Sequence, residues 1–141
     1  MSGLQRIDYA HGAAALTGWL ARPVGTVRGG VVIFPTIANV NPHMERRAAM
    51  LAQAGFVALI ADFYGEPVRD FAHAGQLAAV LRADAGHYRA RLLAAVAALE
   101  AAAPGLPLSV IGYCMGGQAA LEVARAGADL RLAASFHGIL E

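Results

Sequence analysis

Val110-Ile111-Gly112-Tyr113-Cys114-Met115-Gly116-Gly117 is the stretch on which the fold turns. A short apolar strand, residues 108–111, runs directly into a helix expected over residues 115–126, and a cysteine stands at the turn between glycines. A side chain on so sharp a strand-to-helix turn reaches out into a cleft. Bulky neighbours would collide there. Gly112 and Gly116 remove the colliding side chains, and Gly117 lets the helix lie close to the sheet. The helix presents its free N–H groups and the positive end of its dipole to the Cys114 sulfur, a setting that favours thiolate, the reactive form. The Met115 N–H is then available to a developing oxyanion. A second donor in such a design comes from the loop after an earlier strand. That loop is Pro35-Thr36-Ile37-Ala38-Asn39, and the Ile37 N–H is the candidate.

Working outward, residues 4–10 and 14–22 read as two strands joined by a turn at His11-Gly12. Residues 31–34, 56–61 and 108–111 are short continuous apolar runs, as expected of strands buried on both faces, and residues 130–136 form a further strand. Helices are predicted over 42–54, 70–81, 86–103 and 115–126. Pro42 suits a first helical turn, and Gly55 suits a stop. After the opening hairpin, strands and helices alternate, which predicts a mainly parallel sheet with helices on both faces.

The 141 residues make one domain, residues 1–141, with no repeat or low-complexity linker. Hydrophobic residues reach 57% against 15% charged, leaving little polar surface for so small a sphere. Apolar surface is therefore expected to meet more protein: a C-terminal part, a partner or another copy of the chain. A net charge of +1 without a basic cluster argues against nucleic acid, and no stretch reaches the length of a membrane span. Residues 1–10 lack the apolar core of a secretion signal, so the cytoplasm is the expected compartment. A single cysteine excludes an internal disulfide and a cysteine-based metal site, and five histidines without helical pairing make no metal site either.

Gly112-Tyr113-Cys114-Met115-Gly116-Gly117 resembles the nucleophile elbow of the dienelactone hydrolase family, α/β-hydrolases with cysteine in the usual serine position. Val31-Val32-Ile33-Phe34 followed by Asn39-Val40-Asn41 is similar to that family's third strand and loop. Residues 54–65, with Asp62-Phe63-Tyr64, resemble its next strand and the Asp-x-Tyr ending. The resemblance covers nearly the whole chain. It implies an α/β-hydrolase fold and hydrolysis of a small ester or lactone through a Cys-His-Asp triad, with no metal or organic cofactor. Three departures matter. Thr36 stands where the family places a glutamate that holds the resting thiol. No substrate-binding arginine carries over, although Arg69 and Arg82 are near. The acid and histidine that follow the nucleophile in this fold have no counterpart after Cys114, so they are expected beyond residue 141.

The remaining polar residues divide between the site and the surface. Thr36, His43 and Tyr64 are candidates to line the substrate site. Glu122 should face away from the cleft, Asp129 should lie at the opposite end of the sheet, and His137 should end the fourth parallel strand as a structural residue. Asp62 reads as a turn former. Arg46, Arg47, Arg89 and Arg91 read as solvated helix faces, as do His73 and His87. Two other functions fit the same sequence: a hydrolase-like binding or assembly partner that keeps the turn as a relic, and a redox-sensing thiol at Cys114.

Overall fold

The computed structural model describes residues 3–138. Ten elements follow in the expected alternation: β1 Gln5–His11, β2 Ala14–Ala21, β3 Gly29–Phe34, α1 Pro42–Gln53, β4 Phe56–Ile60, α2 Phe71–Arg82, α3 Ala85–Ala102, β5 Leu108–Tyr113, α4 Met115–Arg125 and β6 Leu132–Phe136. Local chemistry sets the helix starts. Asn41, Asp70 and Asp84 each accept a hydrogen bond from the backbone N–H three residues on, and Pro42 occupies the first turn of α1. Gly55, at φ 101°, takes the left-handed backbone that ends α1.

The strands form one six-stranded sheet in the order β1-β2-β4-β3-β5-β6. β1 and β2 are an antiparallel hairpin joined antiparallel to β4, while β4, β3, β5 and β6 are mutually parallel. Alternate residues of each central strand feed opposite faces. Val31, Ile33, Ala58 and Ile60 pack with Met44 and Ala48 of α1. Val32, Phe34, Val57, Leu59 and Val110 pack with Leu92 and Leu99 of α3 and Ala119 and Val123 of α4. Burial on both faces explains why the β3 and β4 sequences read as unbroken apolar runs.

The topology builds the cleft. The chain steps from β3 to β4 on one side, then crosses back over β3 to β5 on the other. The carboxyl ends of β3 and β5 thus adjoin where the strand order reverses, the position at which open parallel sheets bind ligands. Phe34 is registered opposite Gly112, so the loop leaving β3 starts beside the turn leaving β5. No helix among the described residues is long and apolar enough to cross a membrane.

Candidate active site

Cys114 sits between β5 and α4 with φ 56° and ψ −117°, a left-handed conformation that a residue with a Cβ rarely adopts. Its thiol is free and exposed. Three contacts hold the backbone. The Cys114 N–H donates to Phe136 O at 2.8 Å, and the Cys114 carbonyl accepts from Gly117 N–H at 2.9 Å and Gln118 N–H at 3.4 Å. The flanking glycines answer a close approach rather than a need for flexibility. A Cβ on Gly112 would stand 1.8 Å from Gly116 O, one on Gly116 2.0 Å from Phe34 O, and one on Gly117 2.4 Å from Ser135 Oγ. Helix α4 therefore begins pressed against the exits of β3 and β5. As its first residue, Met115 has no carbonyl one turn back to receive its N–H.

The loop after β3 is closed by an Asn39 N–H to Thr36 O bond of 2.9 Å. Asn39, buried and at φ 67°, ties this loop to the end of β4. Its Oδ1 accepts from Phe63 N–H at 3.0 Å and its Nδ2 donates to Asp62 Oδ1 at 2.8 Å. Asp62 is the turn former expected: Oδ1 also accepts from the N–H groups of Tyr64 and Gly65, and Oδ2 from Thr17 N–H, each at 3.0 Å. Ile37 N–H donates to no described group, whereas Ile37 O accepts from the Tyr64 hydroxyl at 2.8 Å. That hydroxyl also lies 3.8 Å from Met115 Sδ. Burial pushes the Tyr64 phenol up to about 12, so it keeps its proton and remains a donor at neutral pH.

Cys114 opens onto a hollow of about 490 Å³ lined by Thr36, Asn41, His43, Met44, Arg47, Tyr113, Phe136 and His137. Thr36 and His43 were expected there. Tyr64 is not in the lining, because its hydroxyl turns to Ile37 O. Arg47 was expected on a solvated face and is instead part of the wall. Its guanidinium lies 4.7 Å from the centre of the Tyr113 ring, which stacks on Phe136, and its Nε is buried with no hydrogen-bond partner among the described residues. The one sequence signal for this was spacing, since His43 and Arg47 are four apart on α1 and share a face. Arg91 is a second correction. It is 7% exposed, donating from Nη1 to Phe63 O at 2.6 Å and from Nε to His11 Nδ1 at 2.8 Å, so it braces β1 and the end of β4 from below.

A model of the dienelactone hydrolase family matches residues 16–141. The chain belongs to the dienelactone hydrolase family. A curated relative from Bradyrhizobium sp., named as a probable 2-oxo-3-(5-oxofuran-2-ylidene)propanoate lactonase, is 36% identical over 140 residues, covering 96% of this chain and 56% of the relative. The crystal structure of a dienelactone hydrolase-like promiscuous phosphotriesterase from metagenomic libraries superposes with a TM-score of 0.87 at 37% identity, covering 96% of this chain and 59% of that one. The dienelactone hydrolase from Anabaena variabilis shares the fold, with a TM-score of 0.68 at 23% identity over 94% of this chain and 63% of that one. The chain thus spans little more than half the length of the curated relative. Its sheet is that of the family's α/β-hydrolase fold.

Among the described residues no carboxylate lines the Cys114 hollow. Glu122 is turned away and held by Arg89 at 2.9 Å and Arg125 at 2.6 Å. Asp129 lies beside Glu100, Gly105 and Pro107, at the far end of the sheet. Two histidines, His43 and His137, face the hollow, the latter at φ 58°. Among the described residues no group of three or more His, Cys, Asp or Glu side chains could hold a metal ion.

Proposed function

We propose that the chain carries the nucleophile half of a carboxylic ester or lactone hydrolase, with Cys114 as the attacking group. The observation that carries this reading is the exposed Cys114 thiol on a left-handed backbone at the start of α4, beside the loop from β3. The thiolate adds to the substrate carbonyl carbon, and the carbonyl π electrons move to oxygen. The Ile37 and Met115 N–H groups, from two separate elements, stabilise that oxyanion. Collapse expels the alkoxide or phenolate and leaves a thioester, which water then cleaves to return the thiol and release the acid. Deprotonating the thiol and protonating a poor leaving group need a histidine held by a carboxylate. We place both in the part of the relatives' length that this chain does not span. A continuation of the protein would also cover the edge strand β6, where Leu132 and Phe136 are 58% and 47% exposed.

The family and the lactonase relative support a small ester or lactone as the substrate class, and the steps above use no cofactor. A test with p-nitrophenyl acetate suits the chain as it stands, because p-nitrophenolate leaves without a proton. One acetyl group should appear on the protein by intact mass, with one equivalent of p-nitrophenolate and little turnover. Cys114→Ala should abolish the burst. Acylation of the variant at the parent's rate would end the hydrolase reading. A parent that resists the ester but is reversibly oxidised by peroxide would instead be a thiol sensor, and one inert to both would leave a binding role.

A further inference from the structure

We propose that Tyr64 is a positioning residue that holds the two oxyanion donors in register, one phenol touching the residues that supply both. The inference rests on the reading of Ile37 and Met115 as those donors. They arrive on different elements, the loop after β3 and the start of α4, which meet where Gly116 abuts Phe34 O and Pro35 O. The Tyr64 hydroxyl donates to Ile37 O at 2.8 Å and lies 3.8 Å from Met115 Sδ. It comes from a third element, the turn after β4. That turn is itself pinned, since Asp62 accepts from the Tyr64 N–H and Asn39 bonds both Asp62 and Phe63 N–H. The phenol ring lies beside Phe63, with centroids 5.8 Å apart. A hydroxyl set by that turn and bonded to Ile37 O fixes the Ile37–Ala38 peptide, one Cα from the Thr36–Ile37 peptide that carries the donor N–H. Without it, Ile37 O has no other donor among the described residues, and the loop keeps the Asn39 N–H to Thr36 O bond, which holds the Thr36–Ile37 peptide from its carbonyl side, the Ala38 N–H to Thr36 Oγ1 bond of 3.3 Å and the Asn39 side-chain ties. Tyr64 has no place in the hollow itself, so it acts through the donors and not on the substrate.

The chain's single cysteine allows two reactions of Cys114 to be compared on the same protein. Acylation by p-nitrophenyl acetate passes through an oxyanion, and alkylation by iodoacetamide does not. The ratio of the two rates, referred to that of a small thiol, measures oxyanion stabilisation apart from thiol reactivity or access. Tyr64→Phe should slow acylation roughly ten- to a hundredfold, below or near the effect of deleting a donor outright, while alkylation stays within about twofold. A purely structural role would move both rates together or neither, and either result overturns the proposal. A parent whose ratio does not exceed the small thiol's would defeat the underlying hydrolase reading instead. Thermal unfolding checks that Tyr64→Phe is folded. Should it not fold, Met115→Leu, a volume-conserving change that keeps the backbone N–H and removes the second contact of the phenol, should still lower the ratio several-fold. An unchanged ratio there would equally overturn the proposal.

Discussion

The backbone of Cys114 stores strain that should be recoverable as stability. At φ 56° and ψ −117° it occupies the first central position of a mirror-image turn, which glycine dominates because a Cβ collides there. Holding a residue with a Cβ in such a conformation costs about 1–3 kcal/mol. The thiol is exposed, so little packing is lost on replacing it. Cys114→Gly should relieve the strain, and Cys114→Ala should keep it. Glycine gives back roughly 0.5–1 kcal/mol through its greater freedom in the unfolded chain. The glycine variant should therefore exceed the alanine variant by about 1 kcal/mol, and by no more than about 2.5 kcal/mol. With a urea slope of about 2 kcal/mol/M, the midpoints should differ by roughly 0.5 M at unchanged slope. The alanine variant is the needed reference, since both lose the sulfur and only one loses the Cβ. An alanine variant as stable as the glycine one would refute the idea that this turn is held against its own preference. The predicted order would identify Cys114 as a position where stability is given up for a projecting thiol.

Three further expectations concern the frame around the site. Gly116→Ala puts a Cβ 2.0 Å from Phe34 O and 2.4 Å from Pro35 O, both backbone atoms that cannot swing away, so the variant should lose at least ~3 kcal/mol or fail to fold. Equal urea midpoints for this variant and the parent would show that α4 does not abut the end of β3. Arg91→Leu leaves Phe63 O without its donor in a buried setting and should cost about 1–3 kcal/mol, measured by the same denaturation. A loss within ~0.5 kcal/mol would return Arg91 to the solvated face first expected of it. The third expectation concerns pH. Burial, then the charge of Arg91, then His87, hold His11 below its ordinary 6.5. Below that value the unfolded chain takes up a proton that the folded chain resists. Stability should therefore be fully present above about pH 6.5 and fall as the pH drops below it. His11→Gln, which offers Arg91 an oxygen acceptor, should flatten that part of the profile. Parallel profiles for parent and variant would dismiss the effect.

Much of this was legible in the chain before folding. Unbroken apolar runs at 31–34 and 56–61 pointed to strands covered on both sides, and Pro42 and Gly55 pointed to the start and stop of the first helix. The glycines around Cys114 announced a tight strand-to-helix turn, because crowding there is set by residues adjacent in sequence. The arginines were not legible. Arg89 and Arg91 read alike, yet Arg89 pairs with Glu122 near the surface while Arg91 is buried against His11, eighty positions away in the chain. Burial of a long cationic side chain depends on which distant carbonyl or imidazole the fold brings to it. The same holds for Arg47, whose stacking partner Tyr113 comes from another strand.

The sequence by itself determined the local frame: the order of strands and helices, and the turn that lifts Cys114. These follow from periodicity, capping and the absence of side chains at three glycines, all short-range properties. Tertiary structure alone decided that Tyr64 turns its hydroxyl to Ile37 O and away from the hollow, and that Arg47 forms a wall. It also set Gly116 against Phe34 O. The crossing from β4 back over β3 to β5 brings these groups together. The register that places Phe34 beside Gly112 sets how closely they meet, and neither is encoded in any one segment of the chain.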